Sequence, residues 1–138
     1  GDTATWKVIT EYSRARPNWM GLWLSSANRL HFRVGNRTIN ATTVLAQNQW
    51  YHVCGTYDAA NLTLRTYVNG ELETLSVVSL PANYTGSAAR RITIGRRGDL
   101  VGEEFIGDID ELAIFNAALT ADDVARIYAG DHPLQGAV

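Results

Sequence analysis

Residues 49–72 read QWYHVCGTYDAANLTLRTYVNGEL, and the fold turns on this stretch. Its two runs, 49–58 and 61–70, are rich in aromatic and β-branched residues, which suit a pleated, half-buried surface. The second run ends in Asn69-Gly70. Both residues tolerate positive φ, so the pair predicts a tight hairpin into a return strand, ELETLSVV at 71–78.

Period-two patterns continue on both sides. Toward the N-terminus stand TWKVITEYS (5–13), a loop around Pro17, WMGLWLS (19–25) and RLHFRVG (29–35). Ser26, Ala27 and Asn28 form a hairpin loop of common length. If Ser25 and Arg29 close it, Leu24 faces Leu30, Leu22 faces Phe32 and Met20 faces Val34, an apolar face that must be core. The opposite face then carries Trp19, Trp23, His31 and Arg33, with Trp23 directly across from His31.

Toward the C-terminus, 81–89 reads as loop, 91–95 as a strand and EFIGDIDELAIF (104–115) as the last strand. Thr120 and Asp123 have the spacing of a helix N-cap with its reciprocal acidic partner, and Leu119 can staple to Val124. Val124, Ile127 and Tyr128 form the predicted buried stripe, and Gly130 the stop. Roughly nine strands and one short helix describe the chain.

Trp50, His52-Val53, Gly55-Thr56-Tyr57-Asp58 and Tyr67-Val68-Asn69-Gly70 resemble the central signature of the laminin G-like, concanavalin A-type jelly rolls. The segment FIGDIDELAIFNAALTADDVARIYAG (105–130) is similar to the closing strand and helix of the same family. The resemblance implies an all-β, two-sheet antiparallel sandwich with one C-terminal helix. It also implies an extracellular or cell-surface recognition module, lectin-like and non-catalytic. Glycan binding is the first expectation, and protein binding or adhesion the second. Family members usually begin with two further strands. Their place is expected to be taken by a rearranged sheet or by a neighbouring chain, as in a homo-oligomer joined through an open sheet edge.

Composition sets bounds that agree. With 138 residues, 46% of them hydrophobic, the chain matches one domain spanning 1–138. A net charge of −2 gives no general attraction for nucleic acid. No run is apolar and long enough for a membrane span, and the first residues lack the build of a secretion signal. Cys54 is the only cysteine, so no intrachain disulfide forms. It reads as a small core residue, and His52 as a structural hydrogen-bonding partner.

The Trp19, Trp23, His31 and Arg33 patch is the candidate ligand site, because indoles stack on the apolar faces of sugars while polar side chains read hydroxyls. For such a role Trp23 must be exposed. Arg90, Arg91, Arg96 and Arg97 flank one strand as a second basic cluster, read as a solvated rim balanced by Asp99, Glu103 and Glu104. Asp108 and Asp110 would share one face of a strand, where the resemblance implies calcium as the candidate metal. Four Asn-x-Thr triplets, at Asn36, Asn40, Asn61 and Asn83, fall in predicted turns.

Related jelly-roll glucanases place carboxylates in the pattern Glu-x-Asp-x-x-Glu. Here the nearest segment is Asp108-Ile109-Asp110-Glu111-Leu112-Ala113, with Ala113 where the last carboxylate belongs. The chain is therefore expected to leave β-glucans intact. Hydrolysis that disappears in Asp110→Asn would reverse that reading.

Overall fold

The computed structural model describes residues 6–12, 19–79, 91–97 and 103–131. Eight strands and one helix follow in order: β1 (Lys7–Tyr12), β2 (Met20–Leu24), β3 (Arg29–Val34), β4 (Arg37–Val44), β5 (Val53–Asp58), β6 (Thr63–Val68), β7 (Glu71–Val77), β8 (Ile92–Ile94) and α1 (Ala121–Tyr128). They form two antiparallel sheets, ordered β4-β3-β2-β1-β8 and β5-β6-β7. This is the expected sandwich. The expected loops around Pro17 and at 81–89, with Arg90, Asp99 and the Asn83 triplet, lie outside the described residues.

The β2–β3 pairing has the register read from the sequence: Met20 to Val34, Leu22 to Phe32, Trp23 to His31 and Leu24 to Leu30. Asn28 takes φ 54° in the turn between them. At the second hairpin, Asn69 and Gly70 sit at φ 51° and 81°, the left-handed pair that lets β6 reverse into β7 without splaying the strands.

The inner faces interdigitate. Leu30, Ala41, Ile9, Leu45 and Val68 form one buried cluster, and Phe32, Val34, Ile39 and Leu64 the other. Gly55 on β5 lies directly beneath the Phe32 ring, where a Cβ would come within 2.5 Å of two ring carbons. Any larger residue at 55 pushes the sheets apart.

Two expectations are corrected. Residues 37–44, absent from the expected strands, form β4. Its inward side chains include only Ile39 and Ala41, alternating with Asn and Thr, so its apolar signal is faint. The segment 104–115 forms no strand ladder: Glu104 makes an isolated parallel bridge to Val8, and positive φ at Gly107 and Glu111 interrupts extension beyond it. Phe105 and Ile109 still pack on the core.

The helix begins as expected, with reciprocal hydrogen bonds between Thr120 and Asp123. Its stripe is narrower than expected. Val124 is fully buried, but Tyr128 is 52% exposed and lies across the β6–β7 turn, close enough to Gly70 that a Cβ there would meet its ring at 2.9 Å.

Along one side the two sheets are sewn together through side chains. The Glu73 carboxylate on β7 accepts four hydrogen bonds of 2.6–2.7 Å from the backbone N–H and hydroxyl groups of Thr42 and Thr43 on β4. The Thr74 hydroxyl donates to the Asn40 carbonyl at 2.8 Å. Burial pushes the Glu73 carboxyl up, but the Thr42 and Thr43 bonds outweigh it and hold it down at about 2. A depressed carboxylate stabilises the fold fully above its ordinary value of 4.5, and that stability is lost as pH falls toward 2. Glu73→Gln should destabilise the protein by roughly 1–2 kcal/mol at neutral pH. It should also flatten the fall in melting temperature between those two pH values, which calorimetry across a pH series would read.

Candidate functional site

The outer face of the larger sheet carries what the core alternation leaves over. Trp23 on β2 and His31 on β3 are cross-strand partners, with Arg33 and Gly21 paired next to them. Val8 of β1 flanks Trp23 on its other side. A cleft of about 200 Å³ opens here, lined by Trp6, Trp19, Trp23, His31, Arg33, Arg97 and Glu103. All four residues of the sequence-read patch line it.

The aromatic rings meet edge to face. Trp19 and Trp23 have centroids 5.6 Å apart, Trp23 and His31 5.8 Å, and Trp6 and His31 4.7 Å. This enclosure buries Trp23 to 5% exposure. The exposure that a stacking role for Trp23 requires is therefore not met: it is the floor of the cleft, sealed by its own neighbours and not by the second sheet, which covers the opposite face. Gly21 makes room for it, since a Cβ at 21 would lie 2.9 Å from the far edge of the indole and 2.5 Å from the Thr10 carbonyl. Trp6, 40% exposed, is the accessible ring.

The polar groups are fixed as firmly. The Arg33 guanidinium lies over the Trp19 ring, Cζ 3.8 Å from the centroid, while its Nε donates to the Gly35 carbonyl at 2.9 Å. His31 Nδ1 is 2.8 Å from the Asn40 side-chain oxygen. Burial lowers the His31 pKa, the Asn40 bond opposes this, and Arg33 adds to it, so the ring is neutral at pH 7.

Trp6, Arg97 and Glu103 were not part of the sequence-read patch. Trp6 stands two residues before Val8, whose strand partner is Trp23, so period two alone places it on this face. Arg97 and Glu103 come from the far side of β1. There, a bulge around Ile9 lets Gly95 N–H donate to the Ile9 carbonyl and Val8 N–H donate to the Glu103 carbonyl. These bonds carry Arg97 and Glu103 to the cleft, where they form a salt bridge of 2.6 Å. Arg91 and Arg96, by contrast, are exposed and do not line it.

The other candidates lie elsewhere. His52 Nδ1 is buried with no hydrogen-bond partner among the described residues, and its ring packs 5.9 Å from that of Tyr128. Its backbone, not its imidazole, makes the expected bonds, with the Asn69 side chain and backbone. Burial pushes the Cys54 thiol up to about 11, far from nucleophilic use at neutral pH. Asp108 and Asp110 are exposed, and Asp110 accepts from the Glu111 N–H at 2.8 Å. Among the described residues no three His, Cys, Asp or Glu side chains gather to hold a metal. This donor set falls short of the roughly six to eight oxygens calcium takes.

A sequence model of the concanavalin A-like lectin/glucanases superfamily matches residues 1–125. The chain belongs to that superfamily. No curated protein matches it. Among solved structures, this superfamily member is similar to the carbohydrate-binding module CBM40 of a Ruminococcus gnavus IT-sialidase, also solved with α2,3 sialyllactose. That match has TM-score 0.73 and 14% identity over 90% of this chain and 74% of that one. A SAP-like pentraxin of Limulus polyphemus matches with TM-score 0.64 and 18% identity, over 91% and 64% of the two chains. An S-layer domain-containing protein of Clostridium thermocellum matches with TM-score 0.52 and 24% identity, over 93% and 65%. At these identities the likeness is one of fold.

The floor of the cleft is a structural element in its own right. Trp23→Ala should lower unfolding stability by about 3–5 kcal/mol, as loss of a buried indole does, measured by urea denaturation. A change below 1 kcal/mol would show that the ring is not packed as described.

Proposed function

We propose that the chain is a non-catalytic glycan-binding module whose ligand occupies the cleft of Trp6, Trp19, Trp23, His31 and Arg33. The observation that carries this reading is the cleft itself. An accessible indole is set against a fixed guanidinium and a neutral imidazole on one rigid sheet face. Such a combination suits a sugar, whose C–H face packs on the aromatic ring while its hydroxyls hydrogen-bond to the polar groups. The fold it shares with a sialyllactose-binding module supports the reading.

A binding role without catalysis is supported by Glu103, the only carboxylate lining the cleft among the described residues, which is engaged by Arg97. Asp108 and Asp110 do not line it. An extracellular or cell-surface setting follows from the same reading and accords with the S-layer protein among the similar folds. Among the described residues no helix is long and apolar enough to cross a membrane.

Protein binding is the second reading, favoured by one feature. Leu72, Leu75 and Val77 of β7 are 48%, 50% and 74% exposed on the outside of the smaller sheet.

Trp6→Ala separates the two readings. It removes the accessible ring without touching the core, so glycan affinity should fall by roughly 1–3 kcal/mol while melting stays nearly unchanged. A glycan array read by direct binding, followed by calorimetry on the best hit, would measure this. Absence of any glycan ligand would sink the first reading.

A further inference from the structure

Building on the glycan reading, we infer that His31 Nε2 is a hydrogen-bond acceptor in the cleft, held to that role by Asn40, and that the ligand meets it with a hydroxyl proton. Asn40 is the cross-strand partner of His31, and its side-chain oxygen lies 2.8 Å from Nδ1. An amide oxygen only accepts, so Nδ1 carries the ring proton. In a neutral imidazole the other nitrogen is then a bare lone pair. Among the described residues no protein group satisfies Nε2, and it is open to solvent on a ring that lines the cleft. The Trp6 and Trp23 rings hold that imidazole edge to face, with centroids at 4.7 and 5.8 Å. A sugar lying on the accessible Trp6 ring therefore brings its hydroxyl rim alongside Nε2.

Protonation reverses the role, because Nε2 then donates instead of accepting. The charged groups on this face are Arg29 and Arg33 of β3, Glu11 of β1 and the Arg97–Glu103 pair at the cleft. β2 carries no charged residue, and Arg37 of β4 pairs with Val34 and donates to the Ser79 carbonyl. Burial lowers the His31 pKa from 6.5, the Asn40 bond opposes this, and Arg33 adds to the lowering. The acceptor is thus present at neutral pH and becomes a donor only in acid, below 6.5. A hydroxyl serves either form by turning its proton, whereas a methoxy group serves only the protonated ring. At neutral pH the cleft therefore discriminates between the two, and in acid that discrimination is lost.

The probes are an array of neutral and sialylated oligosaccharides and, for its tightest member, a set with each hydroxyl in turn replaced by methoxy or fluorine. These are titrated into the full chain from about pH 8 to pH 4, on either side of the histidine range. One hydroxyl should show a loss of about tenfold on replacement at neutral pH. For the methoxy form that loss should fade as His31 titrates. Ring-nitrogen NMR shifts of the free wild-type protein follow the same titration, and should show Nδ1 protonated and Nε2 bare at pH 7, a readout that needs no variant to fold. His31→Phe keeps a ring between Trp6 and Trp23 and should make the methoxy penalty small and independent of pH. Asn40→Asp sets a carboxylate beside Nδ1, which favours the imidazolium, and should move the crossover to higher pH. A proton on Nε2 at pH 7, or no hydroxyl with a pH-dependent penalty, would overturn this inference and leave the glycan reading standing. A pH-dependent penalty that survives in His31→Phe would overturn the assignment to His31. Binding of no glycan at all would overturn both readings together.

Discussion

The Phe32 ring resting on the bare backbone of Gly55 sets the distance between the two sheets, and the rest of the architecture depends on that contact. Sheets pack about 10 Å apart when side chains from both inner faces interleave. A large ring in the middle can be accepted only if the facing position is empty. Gly55 supplies the gap, and Leu64, Val34 and Ile39 close around the ring. With the spacing set, β4 and β7 come close enough for Glu73 to bridge them.

The cleft is the other half of the same alternation. Each strand that points Leu30, Phe32 and Val34 inward must point His31 and Arg33 outward. The site is thus carried on backbone that the core holds rigid, and not on a mobile loop. Trp23 shows how far this goes: it sits on the solvent side of the sheet and is nevertheless as buried as a core residue.

Much of this was legible in the residues themselves. The β2–β3 register followed from apolar matching, and the β6–β7 turn from Asn69-Gly70. What period two could not reveal was contributed by irregular backbone. Arg97 and Glu103 reach the cleft through a bulge and non-ladder hydrogen bonds around β1, for which no residue pattern is diagnostic. The 104–115 segment has the alternation of a strand, but the positive φ at Gly107 and Glu111 depends on tertiary setting. β4 escaped notice for the opposite reason, since its small and polar residues read as turn chemistry. The depth of Trp23 was hidden because exposure depends on neighbours in space: the Trp19 and His31 rings close edge to face on the indole, and Gly21 admits it.

The half-buried thiol of Cys54 is held back by its surroundings. Relative to its ordinary value of 9.0, a pKa of about 11 leaves roughly a hundredfold less thiolate at neutral pH. Alkylating reagents attack the thiolate, so this single site reacts slowly in the native fold. Full solvation of β5 returns the thiol toward its ordinary value and speeds the reaction, so faster alkylation under mild denaturant marks exposure of the strand that also carries Gly55.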